Sequence, residues 1–217
     1  MTPQDTCDAI NRITRHLMTE GLSDSQNFSS VKNKGAYVDV IYNGYGDVSK
    51  ALRDVPYEEM YDYLDNNSQF SIKMLDGGLI HYKYRFMSRG ELAKHTLAYY
   101  PAPHFKSFQN EPELYLDESH FYSEVISKNI LPVPLRFDYA PEDAASIEHP
   151  ASHLTLGQYK NCRIPLSAPL CPVSFTNFIL QSFYNTAFVS IKHTQNSYLY
   201  SRTISREEEK ILHFNIT

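Results

Sequence analysis

Apolar residues recur at helical spacing through Ile10, Ile13, Leu17 and Met18, and start signals stand in front of them. Thr2 offers an N-cap hydroxyl, Pro3 suits the first helical position, Asp5 can reach back to the cap, and Gly21 offers a stop. The polar run from Ser23 to Lys34 reads as a surface loop. Residues 36–42 have strand composition, broken by Gly44 and Gly46, and Pro56 introduces a short helix over Tyr57–Leu64.

From Gln69 to Met87 the period changes to two. Gln69–Leu75, the loop Asp76, Gly77 and Gly78, and Leu79–Met87 predict a β-hairpin. A three-residue loop with glycine last fits a type I turn followed by a G1 bulge. That loop pairs Leu75 with Leu79, Ile72 with Tyr82 and Phe70 with Tyr84. One face then gathers Phe70, Ile72, Met74, Ile80, Tyr82, Tyr84 and Phe86, and the other Gln69, Ser71, Lys73, His81, Lys83 and Arg85. A slip of one residue would mix the two sets, so the pattern supports the register. Ser88–Glu91 turns into a third strand, Leu92–Tyr100; pairing Met87 with Leu92 sets Arg85 opposite Lys94 and Tyr82 opposite Leu97. The polar face so built carries Lys73, His81, Lys83, Arg85 and Lys94, with no carboxylate among them.

Pro101–His104 ends this meander. Residues 111–117 are too rich in acids and proline for central structure, and Glu118–Lys128 predicts a helix. Pro132 and Pro134 make 132–139 extended and favour an edge or entry position. Pro141–Glu148 is an acidic loop. Pro172–Phe188, apolar on most sides, predicts a buried helix, and Ser205 with Glu208 has capping-box spacing before a short helix over Arg206–His213. The fold class expected is α+β, an antiparallel meander sheet packed by several helices in a single domain over residues 1–217.

Composition narrows the function classes. The 42% hydrophobic and 21% charged residues of this 217-residue chain exclude a wholly disordered protein. No apolar run approaches the roughly 20 residues that cross a bilayer, so no membrane partner is expected. The N-terminus has neither a basic nor an apolar leader region, which favours the cytoplasm. With 20 Lys+Arg against 25 Asp+Glu the net charge is −5, so a general nucleic-acid coat is disfavoured while a local basic patch is allowed. Cys7, Cys162 and Cys171 form no C-x-x-C, so zinc-knuckle and thioredoxin-type chemistry drop out; Cys162 and Cys171 can in principle pair, but reduced, mostly buried thiols are favoured. Tyrosine is abundant, at 17 with no Trp, which suits half-covered sheets and protein interfaces.

The densest polar feature is Arg136 to Tyr139, then His149 to His153, then Lys160 to Arg163. Two histidines four apart share a side if Pro150 opens a helical turn, a permitted metal-ligand spacing that Asp138 can complete. Without a metal, one imidazole can act as general base and the other as general acid while Arg163 steadies a phosphate, an arrangement suited to phosphodiester cleavage. The plainer reading is that these groups satisfy buried backbone around a proline-rich turn. All three stay open, and whether a metal binds is not legible. The basic strip Lys73, His81, Lys83, Arg85 and Lys94 has three readings too: a solvated face, a nucleic-acid track, or a docking face for an acidic protein. The interleaved tyrosines point to the opposite face and cannot stack on bases bound to the strip. Asp76 followed by His81 and Lys83 loosely resembles nuclease carboxylate-lysine order, but Asp76 has a turn role. His104 reads as a loop residue. Ser167 and Ser174 lie in no nucleophile elbow, and no phosphate-cradling glycine loop occurs, so no nucleotide cofactor is expected.

At Leu131–Tyr139, His149–Gly157, Asn161–Pro165 and Phe175–Tyr184 the chain resembles the uncharacterised bacterial domain-of-unknown-function family 2290. The Leu75–Gly78 hairpin and Tyr100–Pro103 are similar as well, so the resemblance spans most of the chain. It implies a setting beside a superfamily 1 type helicase in systems implicated in defence against bacteriophage, with a helicase as partner and nucleic acid as a further one. No catalytic role comes with it for His149, His153 or Arg163. Two functions follow: an accessory subunit acting with the helicase, or the effector of the system, a His-dependent nuclease. Oligomeric state is not legible.

Overall fold

A computed structural model describes residues 1–46, 55–103, 133–159, 161–190 and 197–217. The acidic stretch 111–117, the helix expected over Glu118–Lys128, His104 and Lys160 lie outside the described residues.

Helix α1 (Pro3–Thr19) starts as its sequence dictates. Thr2 Oγ1 accepts from the Asp5 amide at 3.1 Å, and Asp5 Oδ2 accepts from the Thr2 amide at 2.9 Å, so two otherwise orphaned donors are satisfied. Gly21, at φ +70, takes the chain out of the helix. The polar run after it is not a loop: it forms strands β1 (Ser23–Gln26) and β2 (Ser29–Asn33). Outer strands need few apolar residues because only part of them is covered, and neighbours supply their pairing. β1 pairs with β4 (Ile72–Met74), and β2 with β3 (Tyr37–Tyr42). Asn11 of α1 brackets Ser29, accepting from its amide at 2.9 Å and donating to its carbonyl at 3.0 Å.

The remaining strands among the described residues are β5 (Leu79–Met87), β6 (Leu92–Tyr100), β7 (Leu135–Tyr139), β8 (Ser152–Leu156) and β9 (Ile164–Pro165). Together they make a nine-stranded antiparallel sheet in the order β1-β4-β5-β6-β7-β8-β9, with β3, and β2 beyond it, on the same edge of β5 as β4. β4 meets Leu79 and Ile80, β3 meets Tyr84 to Met87, and the Tyr82 amide at the seam donates to Ser71 Oγ at 3.0 Å. The helix α2 (Tyr57–Asn66) outlasts its predicted end by two residues. The fold class is α+β.

The hairpin keeps its expected faces but not its register. Ile72 opposes Ile80, and the Met74 amide donates to Gly78 O at 2.8 Å, two residues from the pairing that a loop over 76–78 requires. The loop is Leu75, Asp76 and Gly77, with the left-handed φ of +89 at Gly77. Leu75 leaves the ladder because its amide bonds Leu22 O at 3.1 Å. A shift of two preserves side-chain direction, so Ile72, Met74, Ile80, Tyr82, Tyr84 and Phe86 still share the core face. Phe70 does not: it precedes β4 and packs with Tyr61, Leu64, Leu79 and Ala102 under α2 on the opposite face. Arg85 opposes Lys94 and Tyr82 opposes Leu97 as expected, while a bulge after Arg85 sets Phe86 against Leu92.

The core face is covered by α1 and by α3 (Pro172–Phe183). Phe175 stands edge-on to Tyr82 and Phe137, with ring centroids 5.6 and 5.7 Å away. The hydroxyl of Tyr84 donates to Leu170 O at 3.0 Å, so the buried phenol is satisfied. The single helix expected over Pro172–Phe188 is broken at Tyr184 (φ −139, ψ 49) before α4 (Asn185–Ser190). β7 is an inner strand between β6 and β8, so the edge position is corrected. Pro134 lies just before it, where only its carbonyl is called on, accepting from Gly157 N at 2.7 Å. The Ser205 and Glu208 box forms, with bonds of 2.7 and 3.3 Å, but one 3-10 turn (Glu208–Lys210) replaces the helix. Phe214 is drawn instead into a parallel bridge with Leu166. Cys7, Cys162 and Cys171 are free thiols, the first and last buried. No helix among the described residues is long and apolar enough to cross a membrane.

Candidate functional site

Two features that are separate in the sequence share one face of the sheet. Register aligns Lys83, Thr96, Asp138 and His153 in a row across β5 to β8, and His81, Ala98, Arg136 and Thr155 in the next. With strands about 4.8 Å apart, each row spans about 14 Å. The basic strip and the histidine cluster are therefore neighbours, joined through β6 and β7.

Asp138 is the hub. Thr96 Oγ1 donates to its Oδ1 at 3.0 Å, Arg136 Nε to its Oδ2 at 2.6 Å, and His153 Nε2 lies 3.8 Å from Oδ2. His153 Nδ1 is 2.8 Å from Pro150 O. A carbonyl can only accept, so the neutral ring carries its proton on Nδ1 and turns a bare Nε2 toward the carboxylate. Burial holds the His153 pKa below its ordinary value, opposed by the Pro150 carbonyl and by Asp138. His149 repeats the pattern: Nδ1 is 2.7 Å from Asp143 O, and Nε2 has no hydrogen-bond partner among the described residues.

The two rings do meet, with centroids 4.9 Å apart. Pro150 opens no helical turn, which corrects the expected cause. His149 closes a three-residue loop through a two-way main-chain bond with Ala145, and His153 is the second residue of β8. Arg163 Nη1 donates to Glu148 O at 3.4 Å and lies close enough to His153 to push its pKa down, but is not bonded to Asp138. Among the described residues no three His, Cys, Asp or Glu side chains converge as metal ligands, so the set His149, His153 and Asp138 is not assembled as one.

The strip is not free of carboxylates, contrary to expectation, because elements outside the meander lie against it. Lys73 Nζ is 2.8 Å from Asp65 of α2, and Arg85 grips Asp39 of β3 with Nε at 2.7 Å and Nη2 at 3.0 Å. Lys94 Nζ is 3.4 Å from Asp143, in the 3-10 turn Pro141–Asp143. Lys83 instead donates to Tyr45 Oη at 2.9 Å. His81 is buried beside the rings of Tyr42 and Tyr45, and burial, helped by the Lys83 charge, lowers its pKa to about 4.

Sequence reasoning missed Thr96, Asp39, Asp65, Asp143 and His95. Alternation already puts Thr96 on the polar face and His95 on the core face, so both were readable from β6. His95 is 1% exposed, its Nε2 accepts from the Leu170 amide at 3.1 Å, and burial lowers its pKa to about 4. The three aspartates carry no local signal, since their partners are set by which elements pack beside β5.

A family model described as an uncharacterized conserved protein (DUF2290) matches residues 22–216. No curated protein and no solved structure matches the chain.

Proposed function

This chain belongs to the DUF2290 family of uncharacterized conserved proteins, and on that premise we propose that it is an accessory subunit of a bacterial antiviral defence system, working in the cytoplasm by binding a helicase partner. The helicase and the phage-defence setting rest on the family resemblance of Leu131–Tyr139, His149–Gly157 and Asn161–Pro165. The observation that supports binding over catalysis is the internal satisfaction of the polar face. Both imidazole Nδ1 atoms are committed to main-chain carbonyls, and Lys73, Arg85 and Lys94 each face a carboxylate. Cations already neutralised release fewer counterions from a phosphate backbone, which weakens the nucleic-acid reading of the strip. A face of interspersed signs suits a protein with complementary charges. Size exclusion of the co-expressed pair at micromolar concentration is expected to give one peak. Separate elution overturns the proposal.

One observation favours the rival nuclease. His149 Nε2, without a hydrogen-bond partner among the described residues, stands beside His153, whose own Nε2 faces Asp138. In that case His149→Ala lowers phosphodiester cleavage by at least ~100-fold, with the melting temperature nearly unchanged because His149 is only half-buried. Under the accessory reading, wild type cleaves no faster than His149→Ala.

A further inference from the structure

The loop that carries His149 contains a local contradiction. Ser146, Ile147 and Glu148 are closed by Ala145 and His149, whose amides bond each other's carbonyls at 2.9 and 2.7 Å. Inside that loop the Glu148 amide donates to Ser146 O at 2.8 Å, and Ile147 between them has φ +69. A bond from residue i+2 back to i around a positive φ is the rarer and strained form of γ-turn. Glycine or asparagine suits such a position, whereas a β-branched side chain there is an outlier. Yet isoleucine stands there and leaves 49% of its surface in water.

The C-terminal segment holds the turn in place. Glu208, itself 3% exposed, accepts from the Ile147 amide at 3.4 Å while capping Ser205, and the Ser146 and Ser205 hydroxyls are 2.9 Å apart. Strain of this kind persists only where the surroundings over-determine it, and it gathers at functional sites. A residue that costs the backbone energy and exposes apolar surface is not there for the stability of this chain. We propose that Ile147 is a preorganised docking knob, presented by the strained turn to an apolar pocket on a protein partner. The charges around the knob give the pocket's rim. Glu142, Asp143 and Glu148 are all exposed; among the described residues only the Asp143 carboxylate has an ion-pair partner, Lys94, and Arg163 reaches the Glu148 main-chain carbonyl, so the pocket is edged by lysine or arginine.

This inference rests on the accessory-subunit reading, and the helicase is the partner used to test it. Wild type, Ile147→Gly and Ile147→Asn are compared by melting temperature alone and by titration against the purified helicase. Both variants relieve the backbone, so neither is expected to lower the melting temperature by more than about 4 °C. Both are expected to weaken binding by at least ~10-fold. If wild type itself does not bind the helicase, the accessory reading fails and takes the knob with it. If wild type binds and both variants bind as tightly, the knob alone is wrong. A fall in melting temperature of more than about 4 °C for both variants means that Ile147 serves the fold, and that also overturns the proposal.

Discussion

Acidification from pH 7 to pH 5 is expected to destabilise this fold by several kcal/mol through two buried histidines. His81 and His95 are held near a pKa of about 4 by burial, against an ordinary 6.5. When a base has a depressed folded pKa, the unfolded chain takes up the proton first. The stabilising contribution is complete above pH 6.5, erodes as pH falls from 6.5 toward 4, and levels off below, where the folded protein is protonated too. By pH 5 each histidine accounts for about 2 kcal/mol of lost stability. His95 has the clearer physical reason, because protonating Nε2 would set an N–H against the Leu170 amide that it now accepts. Urea midpoints measured at half-unit steps from pH 7.5 to 5 should hold nearly level down to about pH 6.5 and fall below it, and His95→Gln, which keeps an acceptor without the titration, should flatten that slope by roughly half. A midpoint constant down to pH 5 would rule this out.

The second large effect is expected at Asp76, in the hairpin loop. Its Oδ1 accepts from the Gly78 amide at 3.0 Å and from Tyr184 Oη at 2.8 Å, and Tyr184 Oη lies 3.0 Å from Tyr99 Oη. These groups are buried, and a Cβ on Gly78 would come within 2.7 Å of Tyr184 Oη. The loop can therefore move neither toward the phenols nor away from them. Asp76→Ala strands two buried donors, and a loss of about 3 kcal/mol or more follows. Asp76→Asn retains an acceptor oxygen at the same place and should cost only about 1 kcal/mol. Denaturant unfolding of the pair checks both. A cost below about 1 kcal/mol for the alanine variant would mean that the network is not what holds the loop.

What the sequence discloses follows from how local each signal is. The α1 cap and the alternation of β5 and β6 are settled by residues a few positions apart, so they were legible. The hairpin turn was read as the correct type one residue late, because the competing bond from Leu75 to Leu22 O comes from 53 positions away in the chain. β1 and β2 were invisible because strands such as Ser23–Gln26 and Ser29–Asn33 are made by their partners, with few apolar residues of their own. At the site, the convergence of His149 with His153 was legible from spacing, although a strand and a turn bring it about. That Asp138 stands in the same row as Lys83 depends on β7 lying beside β6, and no local pattern announces that order.

The packing of α1 against α3 has a consequence for how the protein is made. A ribosome must release the chain beyond residue 183 before the first helix finds its last neighbour. Until then Tyr82, whose ring meets Phe175, and Tyr84, whose hydroxyl bonds Leu170 O, lack the later half of their cover. The nascent polypeptide is thus a client for holding chaperones through most of its synthesis, and a message cut short before Pro172 yields a fragment prone to stick to its own copies.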